Sequence, residues 1–139
     1  MINDIIKGVA KAIRNEFGDL RIYTEEIKQG LKEPCFFIST LNPQMKQVMG
    51  KRYLISCQAM VQYITEGGKA ECNDVAMRLF DVLELITVSG DLVRGKNMSY
   101  EVNDGILSFS VSYDIFVYKT EEAKDYIESI EQRTEVQNG

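Results

Sequence analysis

Ile2, Ile5, Ile6, Val9, Ala10, Ile13 and Phe17 recur three and four residues apart, and Gly18 stands where a left-handed C-cap residue is wanted. The chain therefore opens with a helix over about residues 2–17. Leu20-Arg21-Ile22-Tyr23 follows as a short strand, and residues 24–34 read as a charged connection that holds Gly30 and ends at Pro34. The run from Cys35 to Leu41 is rich in β-formers and apolar on both faces, which means burial on both sides or a contact with another subunit. In the next strand Tyr53, Ile55, Cys57, Ala59, Val61 and Tyr63 share one face, with Ser56, Gln58 and Gln62 on the other.

Gly67-Gly68 breaks this alternation. Cys72, Val75, Ala76, Leu79, Phe80, Leu83 and Ile86 then trace a wide apolar stripe, predicting a second helix over about residues 70–86. Beyond it, Met98, Tyr100 and Val102 alternate with Ser99 and Glu101, and Leu107, Phe109, Val111, Tyr113, Ile115 and Val117 alternate with Ser108, Ser110, Ser112 and Asp114. A two-residue Asp104-Gly105 turn between them sets Val102 opposite Leu107, Tyr100 opposite Phe109 and Met98 opposite Val111, so that the apolar faces coincide. A slip of one residue would put the apolar side of one strand against the serine side of the other. From Thr120 onward Ala123, Tyr126, Ile127 and Ile130 keep helical spacing within a segment, 119–139, of net charge −3, predicting a thin-striped helix that frays into a flexible end.

The pattern predicts an α+β fold: a mainly antiparallel sheet with two helices packed on it, in the order α-β-β-β-α-β-β, and a C-terminal helical tail. Residues 1–118 form one domain and 119–139 the charged helix and flexible end. The most unusual stretch is the connection 42–52, about eleven residues where hairpin loops usually take about 2–5. It combines Met45, Val48 and Met49 with Lys46, Lys51 and Arg52. Either it is an extended hairpin whose apolar residues fold back on their own sheet, or it is an arm that docks on a neighbouring subunit or partner, with adaptable methionines for contact and cations for orientation. With Phe36 and Ile38 of the two-sided strand, these six residues are the candidate interface.

Composition narrows the chemistry. The 139 residues are 45% hydrophobic, enough for one core without metal or disulfide staples, and 16 Lys+Arg against 21 Asp+Glu leave no broad basic footprint for sequence-specific nucleic-acid binding. The chain has no His, which removes Ser/His/Asp and Cys/His nucleophile systems and Cys/His zinc sites within one subunit. Cys35, Cys57 and Cys72 sit among apolar neighbours and read as reduced core thiols, as in a protein assembled in the cytosol. Carboxylates at Asp74, Asp81 and Glu84 fall mainly opposite the stripe of the second helix, and adjacent pairs such as Glu25-Glu26 do not aim two acids at one substrate. Gly67-Gly68 lacks a phosphate-loop pattern, so neither a catalytic, a metal nor a cofactor site is expected. The acidic N-terminal stretch Met1-Ile2-Asn3-Asp4 is unlike a signal peptide, and no apolar run approaches the roughly 20 residues of a membrane span.

The opening Met1-Ile2-Asn3-Asp4-Ile5-Ile6-Lys7-Gly8, then Ile22-Tyr23-Thr24-Glu25-Glu26, Gln29-Gly30-Leu31-Lys32-Glu33-Pro34-Cys35-Phe36-Phe37-Ile38 and Val111-Ser112-Tyr113-Asp114-Ile115-Phe116-Val117-Tyr118, resemble the bacteriophage tail terminator family. These proteins are also called tail completion or minor tail proteins. The resemblance spans roughly residues 1–118 and is sharpest to a branch from phages and prophages of Gram-positive bacteria. One departure is Tyr63-Ile64-Thr65, where relatives carry an aromatic-proline pair. The resemblance implies a structural, non-enzymatic protein: a homo-oligomeric ring, usually a hexamer, that caps the tail tube, stops its polymerisation and offers a surface for head joining. Its implied partners are the tube protein and a head-completion protein, with genome DNA passing through the ring. It would be found in the host cytoplasm during assembly and then in the virion tail. The competing readings are a small monomeric ligand-binding domain or carboxylate-dependent enzyme, and another head-tail connector or tube protein. Concentration-dependent sedimentation separates the monomeric readings from the ring.

Overall fold

The computed structural model describes residues 2–24, 32–119 and 126–128. Helix α1 spans Ile2–Phe17, strand β1 Arg21–Tyr23, β2 Cys35–Met49, β3 Arg52–Ile64, helix α2 Lys69–Val82, then β4 Leu85–Val88, β5 Asp91–Arg94, β6 Lys96–Asn103, β7 Ile106–Lys119 and β8 Tyr126–Glu128. The main sheet runs β1-β2-β3-β7-β6, with β8 pairing the far end of β7; it is antiparallel throughout except for the short parallel pair of β1 and β2. β4 and β5 form a separate two-stranded hairpin.

The alternation read from the sequence decides which sheet face is dry. Along β3 and β7 the odd-numbered residues from Ile55 to Tyr63 and from Leu107 to Val117 are buried, while the even-numbered residues remain half-exposed. Both helices lie on the odd-numbered face. α1 buries Ile5, Val9, Ala10 and Ile13, and α2 buries Cys72, Val75, Ala76 and Leu79. Aromatic rings seat them: Phe36 lies between Phe17 and Tyr63, each at 4.9 Å between centroids, and Phe80 meets Phe109 edge-on at 4.9 Å. Each such fully buried ring stabilises the fold by about 1.5–3 kcal/mol. Arg78 of α2 reaches Glu16 of α1 at 2.9 Å with its guanidinium over Phe17, which ties the two helices together at the surface.

The β6–β7 register is the one the turn chemistry demands: Tyr100 pairs Phe109 and Val102 pairs Leu107 around Asp104 and Gly105, both at positive φ. The pairing stops short of Met98 with Val111. A bulge centred on Asn97, whose φ is +53°, shifts the ladder so that Lys96 pairs Ser112.

Helix two ends earlier than its stripe predicts. Leu83 caps it, and Ile86, the last apolar residue of the stripe, is buried on β4 instead. The carbonyls the helix gives up are taken over by distant parts of the chain. The Tyr113 hydroxyl donates to the Leu83 carbonyl at 2.7 Å, and the Gly95 N–H donates to that of Glu84 at 2.7 Å. Gly95 has to be glycine, because a Cβ there would lie 2.6 Å from the Leu83 carbonyl oxygen and 2.6 Å from Val111 Cγ2. At the C-terminal end, Tyr126–Glu128 are strand rather than helix; the rest of the predicted tail helix, like most of the 24–34 connection, lies outside the described residues.

Candidate assembly interface

The connection 42–52 is strand almost to its tip. β2 continues to Met49, a turn at Gly50 and Lys51 reverses the chain, and β3 begins at Arg52. Gly50 takes a φ of +55°, and the Gln47 side-chain amide donates to its carbonyl at 2.6 Å, which fixes the turn. The segment is thus an extended hairpin, but its apolar residues do not fold back. Leu41, Met45 and Val48 are 39%, 46% and 47% exposed, and Met49 is 77% exposed. Met45 pairs Ile55 and so lies on the helix-bearing face, whereas Lys46 opposite Leu54 and Met49 opposite Arg52 lie on the other, so the arm offers apolar contact on both faces.

Its charge is one-sided. From Cys35 to Ile64 the sequence has Lys46, Lys51 and Arg52 and no Asp or Glu. Arg52 is oriented by its guanidinium, which stacks 4.1 Å over the Phe116 ring on the neighbouring β7. Beyond Phe37, β2 has no further pairing with β1, so its outer half forms the edge of the sheet among the described residues. Pro43, Lys46, the positive φ of 52° at Asn42 and two register shifts against β3 interrupt that edge, features that discourage strand addition. What the arm exposes is therefore chiefly its side chains.

Phe36 and Ile38 do not belong to this surface. Both are fully buried, and Phe36 fills the space between Phe17 and Tyr63. The two-sided apolar character of β2 arises because the helices cover one face and Phe37, on the other, is half-exposed. Single-strand periodicity does not distinguish that arrangement from a subunit contact.

Three further exposed apolar residues, outside the arm, escaped the sequence reading. Met77 on α2 is 59% exposed, Leu85 on β4 is 44% exposed and Leu92 on β5 is 63% exposed. The signal for the hairpin was present: Ser89-Gly90 separates two runs of alternating burial, and both residues adopt positive φ, the conformation of a tight two-residue turn. The continuing helical stripe through Leu83 and Ile86 masked it.

The remaining polar groups are structural. Cys35, Cys57 and Cys72 are buried and free, and burial, reinforced by the nearby Asp114 charge, pushes the Cys57 thiol up to about 11, leaving it protonated. An open groove on the uncovered sheet face is lined by Asn42, Gln44, Ser56, Gln58, Ser112 and Asp114. Burial raises the Asp114 carboxyl, but hydrogen bonds from Lys96 and Ser56 outweigh it and hold the group below the usual carboxylate range, as a fixed ion pair with Lys96. Glu71 is likewise held low by hydrogen bonds from the Tyr63 hydroxyl at 2.7 Å and the Thr65 hydroxyl at 2.8 Å, which lock the end of β3 to the first turn of α2. Tyr63 and Thr65 both belong to the sequence departure Tyr63-Ile64-Thr65, and this hydrogen-bonded link joins it to α2. Among the described residues no group of three or more His, Cys, Asp or Glu is placed to hold a metal ion, and no helix is long and apolar enough to cross a membrane.

Comparison with known proteins gives the arm a context. Residues 4–125 match a family model described as phage tail terminator protein. A comparison with curated proteins finds no match. Among similar solved structures, one is 14% identical over 86% of this chain and 96% of its own, with a TM-score of 0.47. The family match covers most of the chain, including α1, both edges of the arm and the β6–β7 hairpin, and the chain belongs to the phage tail terminator family.

Proposed function

We propose that this chain is a non-enzymatic subunit of a closed ring, a hexamer, that caps the phage tail tube, ends its polymerisation and presents the surface on which the head is joined. The family membership over residues 4–125 supports the setting, and the exposed arm is the single observation that carries the mechanism. A ring needs a heterologous contact, in which one patch of each subunit meets a different patch of the next and the rotation closes. Met45, Val48 and Met49, with Lys46, Lys51 and Arg52 beside them, supply one such patch on a pre-ordered hairpin, so little conformational entropy is lost on docking. Termination then follows from shape: one ring face matches the growing end of the tube, and the other does not accept another tube subunit. The head-completion protein is the partner on that second face, genome DNA passes through the ring, and assembly takes place in the host cytoplasm before the ring becomes part of the virion tail. Bond chemistry has no part in this mechanism.

The test compares folding with assembly. A Met45→Ala, Val48→Ser, Met49→Ala chain should melt within about 5 °C of the unsubstituted protein, because each substitution at an exposed site usually changes stability by less than about 0.5 kcal/mol. It should nevertheless fail to form rings in sedimentation velocity and leave tail tubes uncapped in electron micrographs. A large fall in melting temperature with ring assembly intact would return the arm to the role of an ordinary core hairpin. Unsubstituted protein that stays monomeric alone and on tube ends would remove the ring itself.

A further inference from the structure

Among the described residues, every exposed large hydrophobic side chain falls in one of two regions of the chain: Leu41, Met45, Val48 and Met49 on the arm, or Met77, Leu85 and Leu92 on α2 and the β4–β5 hairpin that follows it. We propose that the second region is the acceptor for the arm of the next subunit, an inference that rests on the ring reading above and names its missing half.

The acceptor is drawn from one continuous stretch of chain, α2 and the β4–β5 hairpin. On the β4–β5 hairpin, Ile86, Val88 and Val93 are buried, which leaves Leu85, Thr87, Leu92 and Arg94 together on the solvent face, and Thr87 and Leu92 are direct cross-strand partners. Immediately before it, α2 carries Met77 with Asp74 and Asp81 three residues before and four after, so all three share the exposed side of the helix. Nothing in the fold of one subunit requires apolar residues at these positions, since the helix already buries Cys72, Val75, Ala76 and Leu79 on its other side.

Charge selects the occupant. The arm and its strands, 35–64, carry three cations and no carboxylate, whereas Lys69–Arg94 carries five carboxylates against three cations. Two of those cations are engaged within the subunit, Arg78 with Glu16 at 2.9 Å and Arg94 with Glu84 at 2.9 Å. The surface around Met77 is therefore acidic, with Asp74 and Asp81 both exposed. A cationic, methionine-tipped arm and an acidic, leucine-bearing acceptor are complementary in sign and in apolar content. Each subunit holds one of each, which is the arrangement a head-to-tail ring demands. Two arms would repel, and so would two acceptors, so the same charges oppose arm-on-arm and acceptor-on-acceptor pairings.

The test uses three full-length proteins: the unsubstituted chain, the arm variant above, and an acceptor variant Met77→Ser, Leu85→Ser, Leu92→Ser. An additional Asp74→Lys, Asp81→Lys variant alters only exposed charges and covers the case in which the serine variant unfolds. Each variant alone should lose rings in sedimentation velocity at concentrations where the unsubstituted chain forms them, with association weakened at least about tenfold. Mixed in equal amounts, arm and acceptor variants should form dimers and stop there, because only one intact arm–acceptor contact exists per pair. Raising the salt from about 0.05 to 0.5 M should weaken assembly of the unsubstituted chain. If both acceptor variants form rings as readily as the unsubstituted chain, the acceptor inference falls while the ring reading stands. Rings that form but no longer cap tubes would also overturn it, and would assign this surface to the tube or head partner instead. An unsubstituted chain that never forms rings removes the ring reading and this inference together.

Discussion

Gly8 lies inside α1, where helix propensity alone says that alanine would stabilise the protein by about 1 kcal/mol. The tertiary structure reverses that sign. A Cβ at position 8 would stand 2.5 Å from the backbone carbonyl oxygen of Thr87 and 3.3 Å from Ile86 Cδ1. Ordinary carbon–oxygen contacts begin at about 3.3 Å, so the helix and β4 must part by close to 1 Å. The obstructing atom is backbone in a hairpin pinned by the buried Ile86, Val88 and Val93, and it cannot swing aside as a side chain would. Overpacking of this kind costs about 1–3 kcal/mol, and a backbone obstacle that cannot yield puts this site in the upper part of that range, at about 2–3 kcal/mol. Set against the propensity gain, Gly8→Ala should lower stability by about 1–2 kcal/mol, a fall in melting temperature of roughly 3–8 °C for a domain of this size. Urea denaturation and thermal melting of the full chain measure it, and hydrogen exchange should show the Leu85–Arg94 amides losing protection first. Asn15→Ala, at an exposed position of the same helix, is the control and should rise by a few tenths of a kcal/mol. A Gly8→Ala protein that is as stable as the parent or more so would refute the close packing of α1 on β4.

Tyr113→Phe removes the hydroxyl that caps the Leu83 carbonyl in a buried site and should cost about 1–3 kcal/mol in urea denaturation; an unchanged midpoint would mean that water replaces it. Phe109→Ala, at a fully buried ring in edge contact with Phe80, should cost about 3–5 kcal/mol, and a loss below about 1 kcal/mol would contradict its place in the core. Glu71 is held below the usual carboxylate range, so its contribution to stability is present above its unfolded pKa near 4.3 and disappears as the pH falls through the lower folded value. The stability gap between the parent and Glu71→Gln should therefore be widest near neutral pH and close as the pH falls through the lowered folded value, and a gap that is constant with pH would show that the Tyr63 and Thr65 hydroxyls do not favour the charged form. Replacing Cys35, Cys57 and Cys72 with Ala should leave ring assembly intact after allowance for packing losses, whereas assembly that depends on a thiol would show in the triple variant and in alkylated protein.

Where local chemistry and pattern agree, the sequence by itself determined the outcome. The 3.6-residue period of α1 and Gly18 at φ +74° bound that helix, and the sequence placed its end correctly. Asp104-Gly105 and the serine alternation of β7 leave one register for the β6–β7 hairpin, because any odd shift would bury hydroxyls, and the structure keeps it as far as Ser99. The odd-numbered dry face of β3 was legible for the same reason. The unusual composition of 42–52 was legible too, since methionines beside cations in a long connection have no simple place in a core.

Only the tertiary structure decided the rest, and in each case the deciding partner is far away in sequence. α2 stops at Val82 because Tyr113 and Gly95 satisfy the next carbonyls, and nothing in residues 70–86 records that. Phe36 and Ile38 are core rather than interface because α1, 19 or more residues earlier, covers them, and a two-sided apolar strand reads the same either way. The bulge at Asn97 displaces the pairing of Met98 where β6 begins, next to the glycine that must approach Leu83. Whether Met45, Val48 and Met49 meet their own sheet or stand clear of it depends on how far the helices extend over β2. They do not cover the arm, and its apolar residues stay exposed.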